Sequence, residues 1–337
     1  MSRRVIPGLE APDAIFEADI RSRLDLVEDA LEKSVKVESS GLLSETSSYL
    51  IAAGGKRFRA MLVLLSGSFG DPTDPRLIGG SVAIELVHAA TLYHDDVIDE
   101  AETRHDVTSA NARWTNTVAI LTGDFLFARA SEISTELGTE VCRLLAQTIA
   151  VLCDGQIREV DVSESLDQTE ASHLEIIGRK TAALIATSCR LGGMLSEASP
   201  DHVEVLEEFG RALGMAFQLS DDIMDITATQ LELGKEPGQD MKQGVYTLPV
   251  LHALVEGPDR EELSRILGRG APDGELLDRA LEIVRGGGSI EHARARVTAE
   301  VGLAISLARR LPGGPSRHAL EQLARFLAAR CGAEQPE

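Results

Sequence analysis

The chain has 337 residues, 33 Lys and Arg against 54 Asp and Glu, and a formal charge of −21. So acidic a balance argues against a nucleic-acid partner, which needs clustered Lys and Arg to neutralise phosphates. Hydrophobic residues make up 43%, yet no run approaches the ~20 apolar residues of a transmembrane helix, and Met1–Glu10 has two arginines with no apolar core behind them. The expectation is a cytoplasmic protein with no secretory signal.

The first expected helix runs from about Asp13 to Ser39 and is amphipathic and charged. Next comes Gly54-Gly55-Lys56-Arg57-Phe58-Arg59, ahead of the apolar stretch Ala60–Leu65. Glycines that open a helix make an anion site, because free N–H groups and the helix dipole favour negative charge there. Three cations at that end have the wrong sign for the dipole unless an anion joins them. An ordinary basic turn is the alternative.

From Arg76 to Ser199 there is no proline, and none again from Asp201 to Glu236, which suits long helices. Apolar residues recur at helical spacing in Ile84, Val87, Ala90, Thr91 and in Leu144, Leu145, Ile149, Leu152. Aromatics are only 4%, and alternating strand patterns are hard to find. Breaks such as Asp71–Pro75, Gly234–Gly244 and Gly268–Gly274 are too short for interdomain linkers. The expectation is a single all-α domain over 1–337, of about a dozen helices, with Gly332–Glu337 a disordered tail. Cys142, Cys153, Cys189 and Cys331 are widely spaced in apolar stretches and read as small core residues.

One carboxylate pattern occurs twice, as Asp95-Asp96-Val97-Ile98-Asp99 and Asp221-Asp222-Ile223-Met224-Asp225. On a helix, i and i+4 share a face, so Asp95 lies over Asp99 and Asp221 over Asp225, a destabilising pairing without a cation between them. A solvated acidic face is the alternative for either triplet alone. Both are bracketed by apolar residues, however, and carboxylates in apolar helices must be neutralised, paired or bound to metal. Oxygen-only ligands suit Mg²⁺ shared with substrate phosphates. Two such sites beside Lys56, Arg59, Arg104 and Lys180 suit chemistry on diphosphate leaving groups.

In order along the chain, GGKRFR, ELVHAATLYHDDVID, GDFLFA, Lys180-Thr181, FQLSDDIMD, and GKEPGQD followed by TLP resemble the trans-isoprenyl diphosphate synthase family. The resemblance runs from about Gly54 to Leu251. It implies an all-α isoprenoid synthase bundle with a central apolar tunnel, a homodimer, and condensation of isopentenyl diphosphate with an allylic diphosphate. It also implies three Mg²⁺ ions on Asp95, Asp99 and Asp221, supported by Asp96, Asp222 and Asp225 directly or through water. By the same likeness Arg104, Lys180 and Lys235 hold the allylic diphosphate, Lys56, Arg59 and His88 hold that of isopentenyl diphosphate, and Thr181 and Gln218 place oxygens near the allylic cation. Taken alone, His88 reads as a core histidine and the loop of Lys235 and Asp240 as a simple turn.

The chain departs from the family where Arg104-His105-Asp106 replaces Arg-Arg-Gly, so that His105 stands at an expected phosphate contact, and at Ala60 and Val245. Rival readings are a class I terpene cyclase, a weakly active partner subunit and a diphosphate hydrolase. The positions that set product length by resemblance are Ala90 and Thr91, both small, then Leu86 and Val87, then Ala83 and Gly79–Gly80. At ~1.5 Å rise per residue this predicts a product beyond farnesyl, of roughly six to ten isoprene units, with geranylgeranyl as the alternative.

Overall fold

The computed structural model describes residues 14–104, 107–229 and 236–335. They form sixteen α-helices and one pair of two-residue strands, so the all-α expectation holds. No helix among them is long and apolar enough to cross a membrane. The chain divides into two compact units: Met1–Ile149 with Leu184–Glu207 and Arg309–Leu320, and Ala150–Ala183 with Glu208–Ala308 and Glu321–Glu337.

In the first unit, α1 (Ala14–Ser34), α3 (Phe58–Gly67) and α6 (Asn116–Leu137) gather round α4 (Arg76–Ile98), and α2 (Gly41–Ala52) packs on α1 and α6. α1 ends short of the expected Ser39 because Ser40 caps α2, its hydroxyl accepting Leu43 N–H at 3.3 Å. α4 buries residues on every side, among them Leu77, Ile84, Leu86, Val87 and Tyr93, as a central helix must. The Tyr93 hydroxyl bonds the Thr46 carbonyl and accepts Leu50 N–H, which ties α4 to α2. Between α4 and α6 lie β1 (Thr103–Arg104), β2 (Val107–Thr108) and the single turn α5 (Ala110–Arg113). The strands pair antiparallel, Thr103 with Thr108 and Arg104 with Val107. α9 (Ala183–Leu195) gives this unit all but its first residue.

The second unit takes the later part of α7 (Thr139–Val162), α8 (Glu170–Ile177), a π-helical turn (Gly178–Ala182), and α10 (Pro200–Thr227) from Glu208 on. It continues with α11 (Gln239–Lys242), α12 (Leu248–Glu256), α13 (Arg260–Leu267), α14 (Glu275–Gly286), α15 (Ser289–Ala308) and the end of α16 (Pro315–Arg330). α12 packs on α8, α13, α14 and α15, with Pro249 in its first turn, where a missing N–H costs nothing.

Two expectations need correction. The described part of the tail is held, not loose: Gly332, left-handed at φ +70°, donates to Ala329 O, while buried Ala333 donates to Ala328 O. This is the Schellman close of a helix, and Thr298 Oγ1 adds a bond to Glu334 O at 3.1 Å. Of the cysteines only Cys189 and Cys331 are core; Cys142 is half-buried and Cys153 exposed, because one face of α7 is polar. Burial pushes the Cys189 thiol up to about 12, against a lowering hydrogen bond with Ser66.

Candidate active site

The first aspartate triplet lies at the C-terminal end of α4, with Asp99 as its cap and Asp99 N bonded to Asp95 O at 2.8 Å. That end of a helix carries partial negative charge. Carboxylates there raise the energy of the helix unless cations accompany them. One cation is in place: Arg104, carried back by the strand pair, sets Nε 2.7 Å and Nη2 2.6 Å from Oδ1 of Asp96, which is fully buried. Asp96 thus supports from behind, and Arg104 is engaged with a carboxylate rather than standing open for phosphate. Asp95 and Asp99 are half-buried. His105 lies outside the described residues.

The strand pair is itself pinned. Tyr49 of α2 donates its hydroxyl to Thr108 O at 2.8 Å, and the Arg113 guanidinium sits 4.6 Å from the Tyr49 ring and 4.7 Å from the Trp114 ring.

At the start of α3 the three cations separate. Arg57 adopts a left-handed conformation, φ +44°, and makes a two-pronged ion pair with Glu28 at 2.6 and 2.7 Å plus a bond to Ile51 O at 2.9 Å. Its role is structural. Buried Glu85 accepts Ala60 N–H at 3.0 Å, so part of the expected anion site is filled by the protein's own carboxylate. Lys56 is exposed, and Arg59 and His88 are half-buried.

In the second unit the π turn carries Lys180 and Thr181. Such turns hold one residue more than the α path and recur at functional sites. Two glycines let it pass: a Cβ at Gly155 would lie 2.7 Å from Lys180 N, and one at Gly214 2.6 Å from Ala182 Cα. Lys180 pairs with Glu159. Thr181 Oγ1 donates to Gln218 Oε1 at 2.8 Å, and Gln218 Nε2 donates to Asp222 Oδ1 at 3.0 Å. His173 Nε2 lies 2.9 Å from Asp222 Oδ2, both side chains being buried.

The second triplet occupies the last two turns of α10, again at the negative end of a helix. Its three members differ in surroundings. Asp222 faces the buried chain just described. Asp225, 4% exposed, accepts Gln239 N–H at 3.3 Å and Asp240 N–H at 3.2 Å, holding the start of α11; Lys235 lies outside the described residues. Asp221 is half-buried and meets Arg330. The equal triplets expected from spacing therefore resolve into outward, half-buried Asp95, Asp99 and Asp221, and inward, buried Asp96, Asp222 and Asp225.

Among the described residues no three His, Cys, Asp or Glu side chains converge as a preformed metal cage. The outward donors are oxygen only and sit at two negative helix ends, which fits a hard divalent cation that completes its shell with water and phosphate.

The sequence profile described as polyprenyl synthetase matches residues 40–284. The chain belongs to the polyprenyl synthetase family. A nonaprenyl diphosphate synthase of Mycobacterium tuberculosis is 40% identical over 335 residues, 97% of this chain and 98% of its own length. The crystal structure of a decaprenyl diphosphate synthase from Rhodobacter capsulatus matches with a TM-score of 0.87 at 31% identity, covering 93% of this synthetase and 97% of that chain. A geranylgeranyl pyrophosphate synthase from Corynebacterium glutamicum, complexed with calcium and isoprenyl diphosphate, matches at 0.84 and 38%, covering 96% and 99%. The isoprenoid synthase fold and the prenyltransferase class expected from the motifs stand with these likenesses.

On α4 of this synthetase Ala83, Leu86, Val87 and Ala90 are wholly buried, and Thr91 bonds His88 O at 2.8 Å. Gly79–Gly80 lie against neighbouring helices. A Cβ at Gly80 would lie 2.4 Å from Leu195 Cδ1 of α9, and one at Gly79 3.2 Å from Leu137 Cδ2 of α6. These glycines serve helix contact.

Sequence reasoning missed His173, Arg330, Glu28 and Glu85. Only Glu85 carried a local signal, three residues before His88 in an apolar helix.

Proposed function

We propose that this synthetase condenses isopentenyl diphosphate with an allylic diphosphate, head to tail, to a trans-polyprenyl diphosphate of roughly six to ten isoprene units, the bulk of α4 setting the stop about a turn or more from the aspartates. The observation that carries the reading is the pair of carboxylate clusters at the C-terminal ends of α4 and α10, where only cations make them tolerable. We read the chain as one synthase domain acting in the cytoplasm, since the family match runs through both compact units. Exposed Ile120 and Leu121 on α6 support a homodimer. Geranylgeranyl is the second reading of the product, favoured by the 38% likeness to a synthase of that name.

In this reading Asp95, Asp99 and Asp221 hold Mg²⁺, three ions in all, which when bound neutralises the departing allylic diphosphate. Asp96, Asp222 and Asp225 keep the neighbouring elements in place. Lys180 and Arg104, once their present partners exchange, bind the allylic diphosphate together with Lys235, and Lys56, Arg59, His88 and His105 bind that of isopentenyl diphosphate. The Thr181 and Gln218 oxygens face the allylic carbon as charge develops there. The isopentenyl double bond attacks that carbon, and the released diphosphate takes the proton lost in return. The protein supplies orientation and exclusion of water.

The test is incubation with radiolabelled isopentenyl diphosphate and each short allylic primer, with products separated by chain length. Asp95→Ala and Asp221→Ala should each lower turnover by roughly 10² or more. Full activity in EDTA, or no label in any prenyl product, overturns the proposal.

A further inference from the structure

With Asp222 as a carboxylate, the bonds that link His173, Asp222, Gln218 and Thr181 share one direction. A carboxylate has no proton to give, so both groups facing it donate. His173 therefore carries hydrogen on Nε2, at 2.9 Å from Oδ2. Gln218 turns its amide nitrogen to Oδ1, at 3.0 Å. With nitrogen committed there, the amide oxygen of Gln218 has to face Thr181, and it accepts that hydroxyl at 2.8 Å. The hydroxyl proton is then used up, and Thr181 Oγ1 presents lone pairs to anything else it meets.

We propose that His173 is a positioning residue: through Asp222 and Gln218 it fixes the Thr181 hydroxyl as an acceptor toward the electron-poor allylic carbon, an inference that rests on the prenyltransferase function above. A hydroxyl turned the other way would aim its positive end at a developing cation and oppose ionisation. The chain of bonds prevents this only while Asp222 is held by two donors. With His173 gone, Asp222 keeps the Gln218 amide but loses the group that fixes its plane, and Gln218 gains room to turn over.

The backbone at both ends is set independently. His173 lies in the first turn of α8, where Thr169 caps the helix: its carbonyl accepts His173 N–H at 3.0 Å and its hydroxyl accepts Ser172 N–H at 3.2 Å. Thr181 lies in the π turn, against Gly155 on one element and Gly214 on another. His173 is 3% exposed and Asp222, its acceptor, 2%, so water does not readily replace His173 as the donor. The direction of the Thr181 hydroxyl is the one freedom left, and the side chains decide it.

The experiment compares His173→Leu, His173→Gln, Thr181→Val and the double variant His173→Leu/Thr181→Val, with steady-state kinetics on both substrates and a melting curve for each. His173→Leu should lower kcat about tenfold, less than loss of a direct donor, with both KM values within about twofold. His173→Gln keeps an N–H donor toward Asp222 and should recover most of the rate. Because His173 acts through the hydroxyl that Thr181→Val deletes, the double variant should be no slower than Thr181→Val alone. Should His173→Leu not fold, His173→Asn, with a donor too short to reach Asp222, takes its place in the cycle. Wild-type kcat in the histidine variant, a fall not recovered by His173→Gln, or losses that multiply in the double variant overturn the inference. If wild-type protein itself incorporates no label, the failure lies in the underlying function.

Discussion

The Arg330 guanidinium, at the end of α16, lies 2.7 Å from Oδ1 of Asp221, the first carboxylate of the second triplet. The same group stacks over Phe217 at 5.8 Å. A protein cation thus stands at a carboxylate we assign to metal, and the two cations compete for it. Arg330→Gln should make the metal-free protein less stable and increase the rise in melting temperature on adding Mg²⁺. A rise equal to or smaller than that of the wild type in paired melts with EDTA and Mg²⁺ would show that Arg330 does not compete.

Gly214 faces the π turn more closely than any side chain allows. Gly214→Ala would bring Cβ to 2.6 Å from Ala182 Cα, overpacking that costs about 1–3 kcal/mol, and should lower kcat by displacing Thr181. Gly178→Ala is the control, since its Cβ would meet only Met215 Sδ, at 3.6 Å. Denaturant unfolding and kinetics of the pair check this; equal behaviour of the two variants contradicts it.

Ala90 is wholly buried on α4, one turn before the aspartates. Ala90→Phe should shorten the products, since a ring placed in a close-packed apolar site cannot be displaced without strain. Chromatography of the labelled products decides. An unaltered length distribution from a folded variant removes Ala90 from the length-setting residues.

His252 stacks on His292 with ring centres 4.2 Å apart, and burial followed by the neighbouring ring holds its pKa below 6.5, against weaker raising by Glu256 and Glu170. His292 in turn faces Glu170 at 3.0 Å, and Ser289 Oγ lies 3.0 Å from His252 Nδ1. A histidine whose folded pKa is lowered binds its proton more readily when unfolded. Its contribution is complete above about 6.5 and is lost as the pH falls from there toward the folded pKa. Melting temperatures between pH 7.5 and 5.5 should fall more for the wild type than for His252→Gln. Parallel curves would discount the pair.

The helical fold was legible in the sequence because it is written locally: long proline-free stretches, apolar residues at helical spacing, and carboxylates at i and i+4. The roles proposed for Asp95, Asp99, Asp221 and Thr181 rest in the same way on motifs a few residues long. The division of labour within each triplet was not legible. Asp95 and Asp96 are identical in sequence terms; on α4 they point about 100° apart, and the inward one, Asp96, meets Arg104 as the strand pair returns it. His173 and Arg330 find their aspartates across long stretches of chain, where no spacing rule applies. Gly79–Gly80 is a related case: a small residue is silent about whether a cavity or a neighbouring helix fills the space beside it.

The π turn has a consequence in helical phase. At 3.6 residues per turn, one extra residue is about 100° of rotation, so Gly178–Ala182 resets the direction of every side chain after it relative to α8. Deleting one residue there would leave an unbroken α-helix that is in most respects easier to form. His173 and Ile176 would keep their places, while Thr181 would turn away from Gln218. A single in-frame codon loss could therefore silence the site without removing one of its residues, and the same step in reverse is a short route by which such a site is gained.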